Sequence, residues 1–191
     1  MGERQRRLEE HVVVDAAPAD VHRLVSDLRN MGRWSPECRR VWVPRQPARH
    51  GTRFVGFNRR GPFVWFTTGR VTALRAPEVA RGEGEFAFDV GVFGLPLARW
   101  GYRFEPEGAG TRVTESWQDL RGGPGGRLAD ALGAVFAGTS PERRVAVNRA
   151  GMRTTLARLA DACGRGAGRA DGVGETGEAG RAGEAGEPRR G

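Results

Sequence analysis

The chain has 191 residues, enough for one domain with a sizeable core, and a formal charge of +8 in which every one of its 31 basic residues is an arginine. Apart from short clusters such as Arg4, Arg6, Arg7 and Arg143, Arg144, the arginines are scattered along the predicted strands and helices, so a nucleic-acid partner is not expected. No segment approaches the roughly 18 apolar residues of a membrane span, and residues 1–10 lack the apolar stretch of a secretory signal, so the expected location is cytoplasmic.

Residues 1–8 read as a charged extension. The folded part opens on a β-branched run, Glu9 to Val14, closed by Asp15-Ala-Ala-Pro18. A helix follows over Ala19 to Leu28, with Val21, Leu24, Val25 and Leu28 at three- and four-residue spacing and Pro18 and Asp20 at its start. It stops at Asn30 to Gly32, and Trp34-Ser35-Pro36 does not continue it.

Six strands are then expected: Arg39 to Val43, Thr52 to Asn58, Phe63 to Leu74, Val79 to Phe88, Leu97 to Glu105 and Thr111 to Asp119. The short, proline- and glycine-rich segments between them leave no room for helical crossovers, which makes the sheet an antiparallel meander. One of these segments, Gly91 to Pro96, carries Val92, Phe93 and Leu95, fitting a pocket lid, a dimer contact or local packing.

After the glycine-rich hinge Gly122 to Gly126, Leu128, Leu132, Val135 and Phe136 mark a short helix. Ser140-Pro141-Glu142 supplies a cap, a first-turn proline and an acid for a long helix ending near Cys163. Val145, Asn148, Met152, Leu156 and Leu159 lie along one stripe of it. From Gly164 to Gly191 five arginines balance five acids and almost nothing is apolar, the composition of a disordered tail. The expected domain is therefore 9–163.

Three runs, VVVDAAPADVHRLVSDLRNMGRWSPE from Val12, GTRFVGFNRRGPFVWFTTGRV from Gly51 and WGYRFEPEGAGTRVTESW from Trp100, together with RAGMRTTLARL from Arg149, resemble the polyketide cyclase/dehydrase-like group of the START-like SRPBCC superfamily. The resemblance covers Glu9 to Cys163. It implies an α+β helix-grip fold, in which a curved antiparallel sheet of about seven strands, with two short helices after strand one, wraps around the long C-terminal helix. It further implies an internal pocket for a polyketide-, lipid- or aromatic-like molecule, with aromatase/cyclase or dehydratase activity as the alternative.

Side-chain alternation assigns the inner face of that sheet. Phe54, Gly56 and Asn58 share it with Trp65, Thr67, Gly69 and Val71, with Trp100, Tyr102 and Phe104, and with Val113, Glu115 and Trp117. Adding Asn148 and Met152 from the helix gives the candidate ligand contacts Phe54, Asn58, Trp65, Trp100, Tyr102, Phe104, Trp117, Asn148 and Met152. Gly56 and Gly69 are expected to leave room there.

Glu115 is the candidate catalytic group, because a carboxylate turned inward either carries a raised pKa, suited to acid/base work, or pairs with an arginine or sits at a wet strand end. Asn58, Asn148 and Tyr102 can orient a ligand or satisfy backbone groups. His22 is expected on the surface of the first helix. Cys38 and Cys163 match no metal spacing, no nucleophile motif is present, and no cofactor is expected. The oligomeric state is left as monomer or homodimer.

Overall fold

The structure, a computed structural model, describes residues 6–78, 82–122 and 141–170. Seven strands form one antiparallel sheet: β1 Arg7–Val14, β2 Cys38–Trp42, β3 Arg53–Arg60, β4 Phe63–Arg75, β5 Gly84–Val92, β6 Leu95–Glu107 and β7 Gly110–Asp119. Their order is β1-β7-β6-β5-β4-β3-β2, a meander from β2 onward with β1 added beside β7. Register shifts at Cys38/Arg40, Val71/Ala73 and Val90/Gly91 interrupt the ladders, and such bulges are what bend a sheet.

Between β1 and β2 lie helix α1, Pro18–Ser26, a 3-10 turn at Leu28–Asn30 and a short helix α2, Met31–Trp34. The second helical turn thus occupies the segment where the proline signal places the stop. Ser35 ends it, ahead of Pro36. Helix α3, Pro141–Ala170, starts at the proline read from the sequence and continues seven residues beyond Cys163. The hinge residues after Gly122, the helix expected over Leu128 to Phe136 and the tail beyond Ala170 lie outside the described residues.

The strand expected over Val79 to Phe88 instead runs Gly84–Val92, and the loop expected over Gly91 to Pro96 is a hairpin. Phe93 (φ 49) and Gly94 (φ 79) make its two-residue turn, both in the left-handed region that matches the twist of paired strands. Val92 and Leu95 therefore close the ladder on either side of them.

Two apolar clusters build the core. The larger unites Val21, Val25 and Leu28 with Phe86, Phe104, Val113, Leu156 and Leu159. The smaller packs Leu8, Ala98, Trp117 and Met152 together. Ion pairs and one hydrogen bond fix α3 across the sheet and α2: Arg149 and Arg153 meet Glu10, Arg144 meets Glu37, and Arg158 donates to the Trp34 carbonyl at 3.2 Å. His22 is buried rather than on the surface, its ring edge-on to Phe104 with centroids 5.3 Å apart.

Candidate functional site

Between the inner face of the sheet and α3 lies a cavity of about 630 Å³. Both core clusters border it, Phe54, Phe88 and Tyr102 from one and Ala98, Trp117 and Met152 from the other. The strand alternation that places aromatic residues on one side therefore forms a chamber and not a fully interlocked core. The α3 face of the chamber includes Arg144, Val147, Asn148, Met152 and Thr155, whereas Val145 and Leu156 are absent from its lining.

Of the sequence candidates, Phe54, Asn58, Trp65, Trp100, Tyr102, Glu115, Trp117, Asn148 and Met152 all line the chamber. Phe104 does not. Its side chain is fully buried in the core against His22, because α1 covers that end of the sheet. The room expected at Gly69 is also taken, since a Cβ there would collide with the Phe54 ring lying across it. Gly56 keeps its place in the lining, beside Thr67.

The antiparallel register sets Trp100 opposite Trp117 and Tyr102 opposite Glu115. Glu115 is 2% exposed and makes no ion pair among the described residues, so neither a paired carboxylate nor a wet strand end describes it. The Tyr102 hydroxyl donates to Glu115 Oε1 at 2.9 Å, while Oε2 has no partner. Burial pushes the Glu115 carboxyl from its ordinary 4.5 up to about 8, with the Tyr102 hydrogen bond pulling in the other direction. Tyr102 is itself held well above its ordinary range, first by burial and then by the nearby Glu115 charge. At neutral pH Glu115 is thus a neutral acid whose Oε2 is buried and carries no hydrogen bond.

The other polar groups differ in how far they are engaged. Asn58 Nδ2 donates to the Gly56 carbonyl at 3.2 Å and to Thr67 Oγ1 at 3.4 Å, so its amide braces the sheet. The buried Asn148 makes no side-chain hydrogen bond among the described residues.

Sequence reasoning missed a charged wall. Arg144 forks onto Glu37 at 3.1 and 2.6 Å, lies over the Trp65 ring at 6.0 Å, and Arg60 approaches the same carboxylate at 3.6 Å. Arg121 forks onto Asp119 at 2.8 and 3.0 Å. These pairs join residues up to 107 positions apart, and only the helical phase of Arg144 beside Val147 and Asn148 hints at its side of α3. Met31 and Trp34 also reach the chamber, brought there by the short α2, as does Cys38 from the start of β2. Both cysteines are free and buried, and burial lifts the Cys38 thiol to about 11, far from a reactive thiolate.

A bent antiparallel sheet closed by one long helix over an apolar chamber defines a helix-grip binding protein. The chain belongs to the polyketide cyclase / dehydrase and lipid transport family, whose pattern matches residues 5–164. None of the curated proteins matches it. Among solved structures it is similar to a Polyketide_cyc-like protein from Corynebacterium glutamicum, at 27% identity and a TM-score of 0.50 over 80% of this chain and 88% of that one. The Zhui aromatase/cyclase from Streptomyces sp. R1128 shares its fold at 15% identity and a TM-score of 0.58, over 90% and 99% of the two chains. A STAR-related lipid transfer protein from Xanthomonas axonopodis does so at 17% and 0.53, over 83% and 88%.

Proposed function

We propose that this chain holds a hydrophobic small molecule, polyketide-, lipid- or aromatic-like, in the chamber between its sheet and α3. The carrying observation is a cavity of about 630 Å³, walled mainly by indole, phenyl and thioether groups, with charged pairs along one wall and the buried Glu115 carboxyl in its lining. Concave apolar space with few polar groups is what small-molecule sites share. Phe54, Trp65, Trp100, Trp117 and Met152 supply contact area in this reading, and Glu115, with Asn148 nearby on α3, orients an oxygen of the ligand. The working unit is the domain 9–163, acting in the cytoplasm as monomer or homodimer, without a nucleic-acid partner. Native mass spectrometry of freshly purified protein is expected to show a bound species of small-molecule mass that is released on activation. A chain that carries nothing and retains nothing added counts against the reading.

A second reading, aromatase/cyclase or dehydratase, is favoured by the Glu115–Tyr102 pair alone. An acid poised near pH 8 beside a phenol can protonate a carbonyl or hydroxyl oxygen of an enclosed chain, and the family description and the Zhui aromatase/cyclase agree with such chemistry. Glu115→Gln keeps the shape and the Tyr102 bond but removes the transferable proton. Loss of turnover with ligand still retained supports the enzyme; unchanged turnover removes Glu115 from it.

A further inference from the structure

We propose that the end of the sheet carrying the β3–β4 and β5–β6 turns docks on an anionic lipid surface. The two turns lie side by side, since the Phe66 and Phe93 rings meet edge-on with centroids 5.7 Å apart. Around them Val64 is 67% exposed, Phe93 68%, and Phe63 and Phe66 are also exposed. A tip of protruding apolar side chains is unfavourable in water and fits the boundary between headgroups and acyl chains.

Charge chooses the kind of surface. From Cys38 to Pro77, the stretch that forms β2, β3 and β4, the chain has nine arginines and no acid. Of the exposed arginines, Arg59 sits at the β3–β4 turn opposite Val64, and Arg40 stands on β2 opposite Phe57, a few residues from it. Guanidinium groups flanking an insertable tip favour an anionic leaflet over a neutral one. Val64, with no ring to stack on a base, favours lipid over nucleic acid.

Backbone geometry sets the same tip apart. Phe93 adopts φ 49, a conformation that costs an ordinary side chain and that asparagine or glycine takes readily. Packing does not require phenylalanine at this position, because its ring is mostly in solvent. Val64, Phe66, Val92 and Phe93 also belong to the chamber lining, so the tip opens onto the cavity, and docking would bring an apolar ligand to its entrance without crossing water.

The proposal goes beyond the ligand-site reading, and the two can fail separately, because vesicle flotation reads the surface and native mass spectrometry reads the chamber. The full chain is floated with vesicles of equal phosphatidylcholine and phosphatidylglycerol, and with phosphatidylcholine alone. Selective flotation with the anionic vesicles, weakened by salt, is expected. Phe93→Asn relieves the backbone while removing the ring, and should lower vesicle affinity about tenfold with no loss of thermal stability. Phe63→Ser, on the neighbouring turn, should act in the same direction. The proposal is overturned if anionic vesicles are not bound, or if Phe93→Asn and Phe63→Ser bind as the parent does. A dimer that Phe93→Asn splits, with no flotation, would assign the tip to a second copy and equally overturn it.

Discussion

Glu115 shows what burial does to one carboxyl group. Its proton is held to about pH 8 in the folded chain, whereas the unfolded chain releases it near the ordinary 4.5. Folding therefore takes up a proton throughout that window, and stability must fall as pH rises through it, by at most about 1.4 kcal/mol per pH unit. Glu115→Gln removes the titration and keeps an acceptor for Tyr102. Urea melts at pH 5 and pH 8 should show the variant gaining on the parent by an amount on the order of 3 kcal/mol between the two. A constant difference would mean that the carboxyl is wetter than its surroundings imply. Strand parity was enough to place this group inside, but parity says nothing about depth. Phe104 has the same parity as Trp100 and Tyr102 and yet lies beyond the chamber, because α1 sets His22 against it.

At the scale of elements, β3 and β4 are locked by one close approach. Phe54 stands opposite Gly69 in the register, and its ring crosses the space a side chain would use. Gly69→Ala must push that ring toward Phe88, its edge-on neighbour 5.5 Å away. The expected cost is roughly 1–3 kcal/mol, read as a lowered unfolding midpoint. An unchanged midpoint would show that the ring yields freely. Most strands were legible because turn residues bracket them. The β5–β6 hairpin was not, since Gly91 to Pro96 has the composition of a loop, and only the backbone shows Phe93 taking a position that usually belongs to asparagine or glycine.

For the molecule as a whole, the sheet and its closing helix were legible, whereas the charged wall was not. Periodicity identifies the apolar faces of β3, β4, β6, β7 and α3, and a segment order matching a known family supplies the way they close. The Arg144–Glu37 pair depends on how α3 is set against the segment before β2, which no local pattern encodes, whereas Arg121–Asp119 is a local pair two residues apart. Size is equally a property of the closed fold, because the volume left between indole rings and helix depends on how far the bulges bend the sheet.

That volume is the point on which the account turns, and titration with 1-anilinonaphthalene-8-sulfonate, a fluorescent probe with an apolar ring system and an anionic sulfonate, tests most directly whether it admits a ligand. Thr67 lines the chamber from β4, so Thr67→Trp fills space there without adding charge. Saturable binding of one probe per chain is expected in the parent, with loss of most of it in Thr67→Trp at an unchanged unfolding midpoint. No saturable binding, or equal binding by a folded Thr67→Trp variant, would contradict the existence of an accessible internal site.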